Sequence, residues 1–112
     1  MSRLYEMEIR IYGVNSERIV AIKEAVKEEW GFDYWYQNTD PISKMIVLHS
    51  YAEDYLCGGK SEADFATNVS IAVWKANGSF CEVVIEATCK EYIPSESYTH
   101  DEYDYEKLMN KL

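Results

Sequence analysis

The chain has 112 residues and a formal net charge of −9. That length suits one domain and is too short for two comfortable cores. The acidic balance repels phosphate backbones and so argues against direct nucleic-acid binding, and no apolar run is long enough to span a membrane.

Residues 4–12, LYEMEIRIY, alternate with a period of two: Tyr5, Met7, Ile9 and Ile11 on one side, Glu6, Glu8, Arg10 and Tyr12 on the other. This predicts a half-buried first strand ended by Gly13. Asn15 is the expected N-cap of a first helix, with Val14 and Ile19 as its hydrophobic staple. Ile19, Ile22, Val26 and Trp30 make the apolar stripe, and Gly31 is expected to end the helix in the left-handed conformation. A second strand, aromatic on both faces, is predicted over 32–37, FDYWYQ. A third follows over 44–51, whose continuous apolar centre points to a central position in the sheet.

Residues 52–60, AEDYLCGGK, read as an irregular loop. Ser61 with Asp64 starts a second helix carrying Phe65, Val69, Ala72, Val73 and Ala76, with Trp74 at the edge of the stripe and Asn77-Gly78 at its end. Residues 80–89 alternate again: Cys81, Val83, Ile85, Ala87 and Cys89 face one way, Phe80, Glu82, Val84, Glu86 and Thr88 the other. Pro94 stops the pattern. Thr99 and Glu102 form a capping box, with Tyr98 and Tyr103 as its staple, for a short third helix over roughly 100–111.

The order strand-helix-strand-strand-helix-strand is that of the ferredoxin-like split βαβ arrangement. The expected fold is therefore an α+β domain over residues 1–94 with sheet order 4-1-3-2 and strands one and three as parallel central neighbours. Residues 95–112 form an acidic, tyrosine-rich extension whose helix packs on the same domain. Both long helices are expected on the sheet face of Met7, Ile9 and Ile11. The opposite face then shows Glu6, Glu8, Arg10 and Tyr12 beside Glu82, Val84, Glu86 and Thr88, together with Trp35. The third helix is expected to dock across part of that open face or along an edge.

A fold of this kind carries many activities, so function must come from sites. Cys57, Gly58, Gly59, Lys60 and Ser61 precede a helix, where backbone N–H groups can cradle an anion and a thiol can be activated. The phosphate-loop spacing is absent, no base stands nearby, and Glu53 and Asp54 oppose a thiolate. Cys81 and Cys89 lie too far apart along one strand to share a metal or a disulfide, and His49 has no ligand spacing around it. The acids of 100–106 lack the calcium loop. No metal or cofactor is expected, and no catalytic residue is assigned.

The leading expectation is thus a non-catalytic protein-interaction or accessory domain for a basic partner. Its candidate surface is Tyr12, Trp35, Tyr98, Asp101, Glu102, Tyr103 and Asp104, because carboxylates pair with Arg and tyrosine rings stack on it. One alternative is a small-ligand binder or enzyme using the Cys57-Gly58-Gly59 loop. The other is an acidic nucleic-acid mimic that inhibits a DNA- or RNA-binding protein. Three cysteines and no signal-like leader point to the cytoplasm. The aromatic second strand, with Asp33 as its one charged deterrent, predicts a weak homodimer through its edge or through Trp35 and Tyr12 on the open face.

Overall fold

The computed structural model describes residues 3–56, 61–89 and 96–110. In chain order they form β1 (Arg3–Tyr12), a 3-10 turn (Ser16–Arg18), α1 (Ile19–Lys27), β2 (Trp35–Thr39), β3 (Ile46–Leu56), α2 (Glu62–Asn77), β4 (Glu82–Cys89), β5 (Glu96–His100) and α3 (Glu102–Met109). The result is a mixed α+β fold with one five-stranded sheet in the order β2-β3-β1-β4-β5 and every pairing antiparallel.

That order departs from the expected four-stranded sheet. β4 is not an edge, because β5 pairs along it from Val83↔His100 to Ala87↔Glu96. β1 and β3 are neighbours but antiparallel, from Arg3↔Leu56 to Tyr12↔Val47. β3 also runs through residues 52–56, where the sequence reads as a loop. Ten paired positions on β1 extend it: each backbone group of β1 needs a partner, and a long first strand supplies the template for a long third.

The register is fixed by burial. Met7, Ile9, Ile11, Leu48, Val83 and Ile85 are almost wholly removed from solvent, each stabilising the fold by roughly 1.5–3 kcal/mol. A slip of one residue would exchange Met7, Ile9 and Ile11 for Glu6, Glu8 and Arg10. α1 and α2 cover this face through Ile22, Val26, Phe65, Val69 and Val73. Asn77, buried at the end of α2, accepts from the Asn15 N–H at 2.8 Å and donates to the Ser79 carbonyl at 3.0 Å, which ties the start of one helix to the end of the other.

The local signals were followed unevenly. Asn15 caps the 3-10 turn rather than the α-helix itself. α1 ends at Lys27, and Gly31 does not take a positive φ; Gly13 and Gly78 do, at 80° and 79°. Trp30 is nevertheless buried, because the chain turns back to stack its ring on Phe65 at 5.1 Å and its indole N–H donates to the Ala52 carbonyl. Trp74 is core rather than edge: it is buried, donates to the Cys81 carbonyl at 2.8 Å, and meets the Tyr105 ring edge-on at 5.2 Å.

The C-terminal residues also depart from expectation. Thr99 does not cap α3, because it is paired with Val84 inside β5. The capping box is instead Asp101 with Asp104, each side chain accepting from the other's backbone N–H. α3 then packs on α2 and β5, with Tyr105 against Trp74 and Phe80. It lies on the helix side of the sheet and does not cover the opposite face.

Candidate interaction surface

Strand alternation builds the open face row by row, since residues directly opposite in antiparallel strands point the same way. One row runs Tyr36, His49, Arg10, Val84, Thr99 across all five strands. The next runs Tyr51, Glu8, Glu86, Ser97. On either side lie Asn38, Val47, Tyr12 and Glu82, and Glu53, Glu6 and Thr88. Among the described residues no helix covers this face.

Its electrostatics are lopsided. Glu6, Glu8, Glu53, Glu82 and Glu86 share the surface with Arg10 as the arginine among them. Glu8 and Glu86 stand directly opposite each other, an unfavourable like-charge pair. Arg10 sits between them, with Nε 3.6 Å from Glu8 and Nη2 4.0 Å from Glu86. His49 Nε2 lies 3.3 Å from the second oxygen of Glu8. The face therefore holds a small internal network and keeps an acidic excess.

The tyrosines occupy the β2–β3 side. The His49 ring lies 6.0 Å from Tyr36 and 6.5 Å from Tyr51. Tyr36, Tyr51 and Tyr55 are each more than half exposed. Such rings offer apolar area at little conformational cost while the hydroxyls remain wet.

The sequence-predicted surface residues are not brought together. Tyr12 lies on the open face, half-buried beside Glu82. Trp35 does not. It pairs with the buried Ser50, packs at 6.0 Å from Phe32 and faces the α1 side. Tyr36 takes the open face instead. An aromatic run carries no period to choose between them; the uncovered end of the core under α1 does, because it takes the largest ring. Tyr98, opposite Ile85, likewise points inward and packs against the core. Asp101, Glu102, Tyr103 and Asp104 sit at the start of α3, on the helix side; Glu102 and Tyr103 are exposed, and Asp101 and Asp104 are engaged in the cap.

Of the loop, Cys57, Gly58, Gly59 and Lys60 lie outside the described residues. Ser61 accepts from the Asp64 N–H at 3.1 Å as the cap of α2. Sequence reasoning missed Tyr36, His49, Tyr51 and Tyr55. For His49, Tyr51 and Tyr55 the signal was there in the alternation Val47, His49, Tyr51, Glu53, Tyr55 against Leu48, Ser50, Ala52, cut short of Tyr55 by ending the strand at Tyr51; for Tyr36 the aromatic run gave none.

Elsewhere, burial pushes the Cys81 thiol up to about 12, so it is a neutral core group rather than a nucleophile. Among the described residues no group of three His, Cys, Asp or Glu side chains is placed to hold a metal, and no helix is long and apolar enough to cross a membrane. Comparison with protein-family models, with curated proteins and with solved structures finds no match to this chain.

Proposed function

We propose that this chain is a non-catalytic protein-interaction domain whose open sheet face receives a basic surface of a partner protein. We read the framework as the split βαβ, ferredoxin-like arrangement with β5 added outside β4. The observation that carries the functional reading is the pairing, on one uncovered face, of an acidic excess with exposed Tyr36 and Tyr51. Carboxylates steer and orient a cationic partner, and tyrosine rings stack on arginine planes and exclude water around them. A phosphate mimic fits less well, because Arg10 stands inside the acidic field and is ion-paired to Glu8 and Glu86. A cytoplasmic setting belongs to the same reading and rests on the free, buried thiol of Cys81. Of the two grounds for a weak homodimer, Trp35 on the open face is gone, and the outer edge of β2 remains.

The test is affinity capture at about 50 mM salt, comparing the native chain with a Tyr51→Ala/Glu86→Gln double variant and a Glu102→Gln/Tyr103→Ala double variant. The reading expects one stoichiometric basic protein, retained by the native chain and the α3 variant, released by raised salt and lost with the sheet variant. Equal retention by all three, or loss with the α3 variant alone, overturns it.

A further inference from the structure

A cavity of about 470 Å³ opens at the end of the sheet where β1 stops, lined by Tyr12, Gly13, Met45, Phe80, Cys81 and Glu82. We propose that it is a binding site for a small organic cation carrying a ring or short apolar chain, a function beyond the protein-docking reading of the sheet face, with whose margin it shares Tyr12 and Glu82. The volume is that of a small-molecule site, and its composition is mostly apolar with one carboxylate.

Gly13 turns the chain at φ 80°, its N–H donating to the Ile46 carbonyl, and the Met45 side chain passes 3.8 Å from where a Cβ would stand. That turn holds the hollow between the end of β1 and the approach to β3. Tyr12 and Phe80 supply aromatic rings and Met45 a polarisable thioether, all surfaces that favour a cation or a ring. Cys81 closes the inner wall as a buried neutral thiol and brings no competing charge.

Glu82 decides the class of ligand. It stands directly opposite Tyr12 at the cavity and makes no ion pair among the described residues. The nearby guanidinium of Arg10 is turned to Glu8 and Glu86 and does not neutralise it. A half-buried carboxylate in a hollow that Tyr12 and Phe80 also line selects an ammonium over an alcohol of the same shape and disfavours an anion.

The probe is phenethylamine, an ammonium ion at neutral pH, titrated into the full isotope-labelled chain while amide shifts are followed. 2-Phenylethanol serves as the neutral shape control. The expected result is saturable binding with a dissociation constant on the order of 1 mM and shifts centred on residues 12–13, 45 and 80–82. Glu82→Gln weakens it about tenfold, the loss of one charge-assisted contact. Glu86→Gln removes the same charge about 13 Å further along β4, beyond a Debye length, and leaves affinity within about twofold. The native spectrum of each variant shows that it is folded. Equal binding of the alcohol, equal loss in both variants, shifts centred elsewhere, or no saturation overturns the proposal.

Discussion

Arg10 should matter more to stability than the acids around it, and the difference tests whether those acids serve the fold. Arg10→Met keeps the apolar stem over the sheet and removes the charge. It deletes two ion pairs, at 3.6 Å to Glu8 and 4.0 Å to Glu86, and leaves the two carboxylates facing each other. The groups are roughly 35–40% exposed, so each attraction and the one repulsion is worth about 0.2–1 kcal/mol. The expected cost is about 1 kcal/mol, or a fall of about 4 °C in Tm for a chain of this size. Glu86→Gln removes one attraction and one repulsion of similar size, so it should change stability by less than about 0.5 kcal/mol. The double variant should recover part of the Arg10→Met loss. Urea unfolding at about 50 and 500 mM salt measures all three, and the Arg10 effect should shrink in high salt. A Glu86→Gln cost above about 1 kcal/mol would make that acid part of what holds the sheet and remove the reason to look for its role outside the fold.

Trp74→Phe should cost about 2–4 kcal/mol, since it strands the Cys81 carbonyl, opens a small cavity in the core and loosens Tyr105 of α3; calorimetry should show Tm falling by about 8–16 °C, and a fall under about 3 °C would mean α3 docks without it. His100 gives a pH dependence of known sign. Burial beside Trp74 lowers its pKa, opposed by Asp104 and Asp101, and its Nδ1 has no hydrogen-bond partner. Between the folded and unfolded values the unfolded chain holds the proton and the folded chain does not, so the contribution is complete above about pH 6.5 and is lost as pH falls through the folded value. Urea midpoints of the native chain should therefore fall relative to His100→Phe below about pH 6.5, and a pH-independent difference refutes the assignment.

Much of the framework was legible because binary pattern and punctuation agreed. The alternation of residues 4–12 and 80–89 named the inner faces except at Phe80, which the pattern puts on the open face and which packs instead against the core and Tyr105 on the helix side. Ser61 and Gly78 marked the ends of α2. What failed had a physical cause in each case. Residues 32–37 hold aromatics at consecutive positions, so no period told Trp35 from Tyr36. Tyr98 and Thr99 carry both strand propensity and a cap signal, and the unsatisfied edge of β4 settled the contest in favour of β5. The site was less legible than the fold. Glu6, Glu8, Glu82 and Glu86 fall on the open face as the alternation implies, but the acids expected to form the interaction surface, Asp101, Glu102 and Asp104, lie at the start of α3 on the other side. Of the tyrosines, Tyr36 comes from the aromatic run of β2, and Tyr55 from the part of β3 beyond residue 51 that pairs with β1.

The addition of β5 also changes what the open face can do. With β4 as an edge, Val84 and Glu86 would lie at the margin, where charges are screened by water and contribute little to recognition. With β5 outside them, Val84 is flanked by Arg10 and Thr99, and Glu86 by Glu8 and Ser97. The acidic pair thus stands inside the sheet surface, with Tyr51 beyond it on β3 and the serine on β5. An interface closing over this face desolvates its centre and leaves the strand ends wet, the distribution in which a few central groups carry most of the binding. The same C-terminal segment that supplies β5 places its own acids at the α3 cap on the other side. Asp101, Glu102 and Asp104 serve the start of α3, whereas Glu8 and Glu86 on β1 and β4 cap no helix and lie on the open face around Arg10.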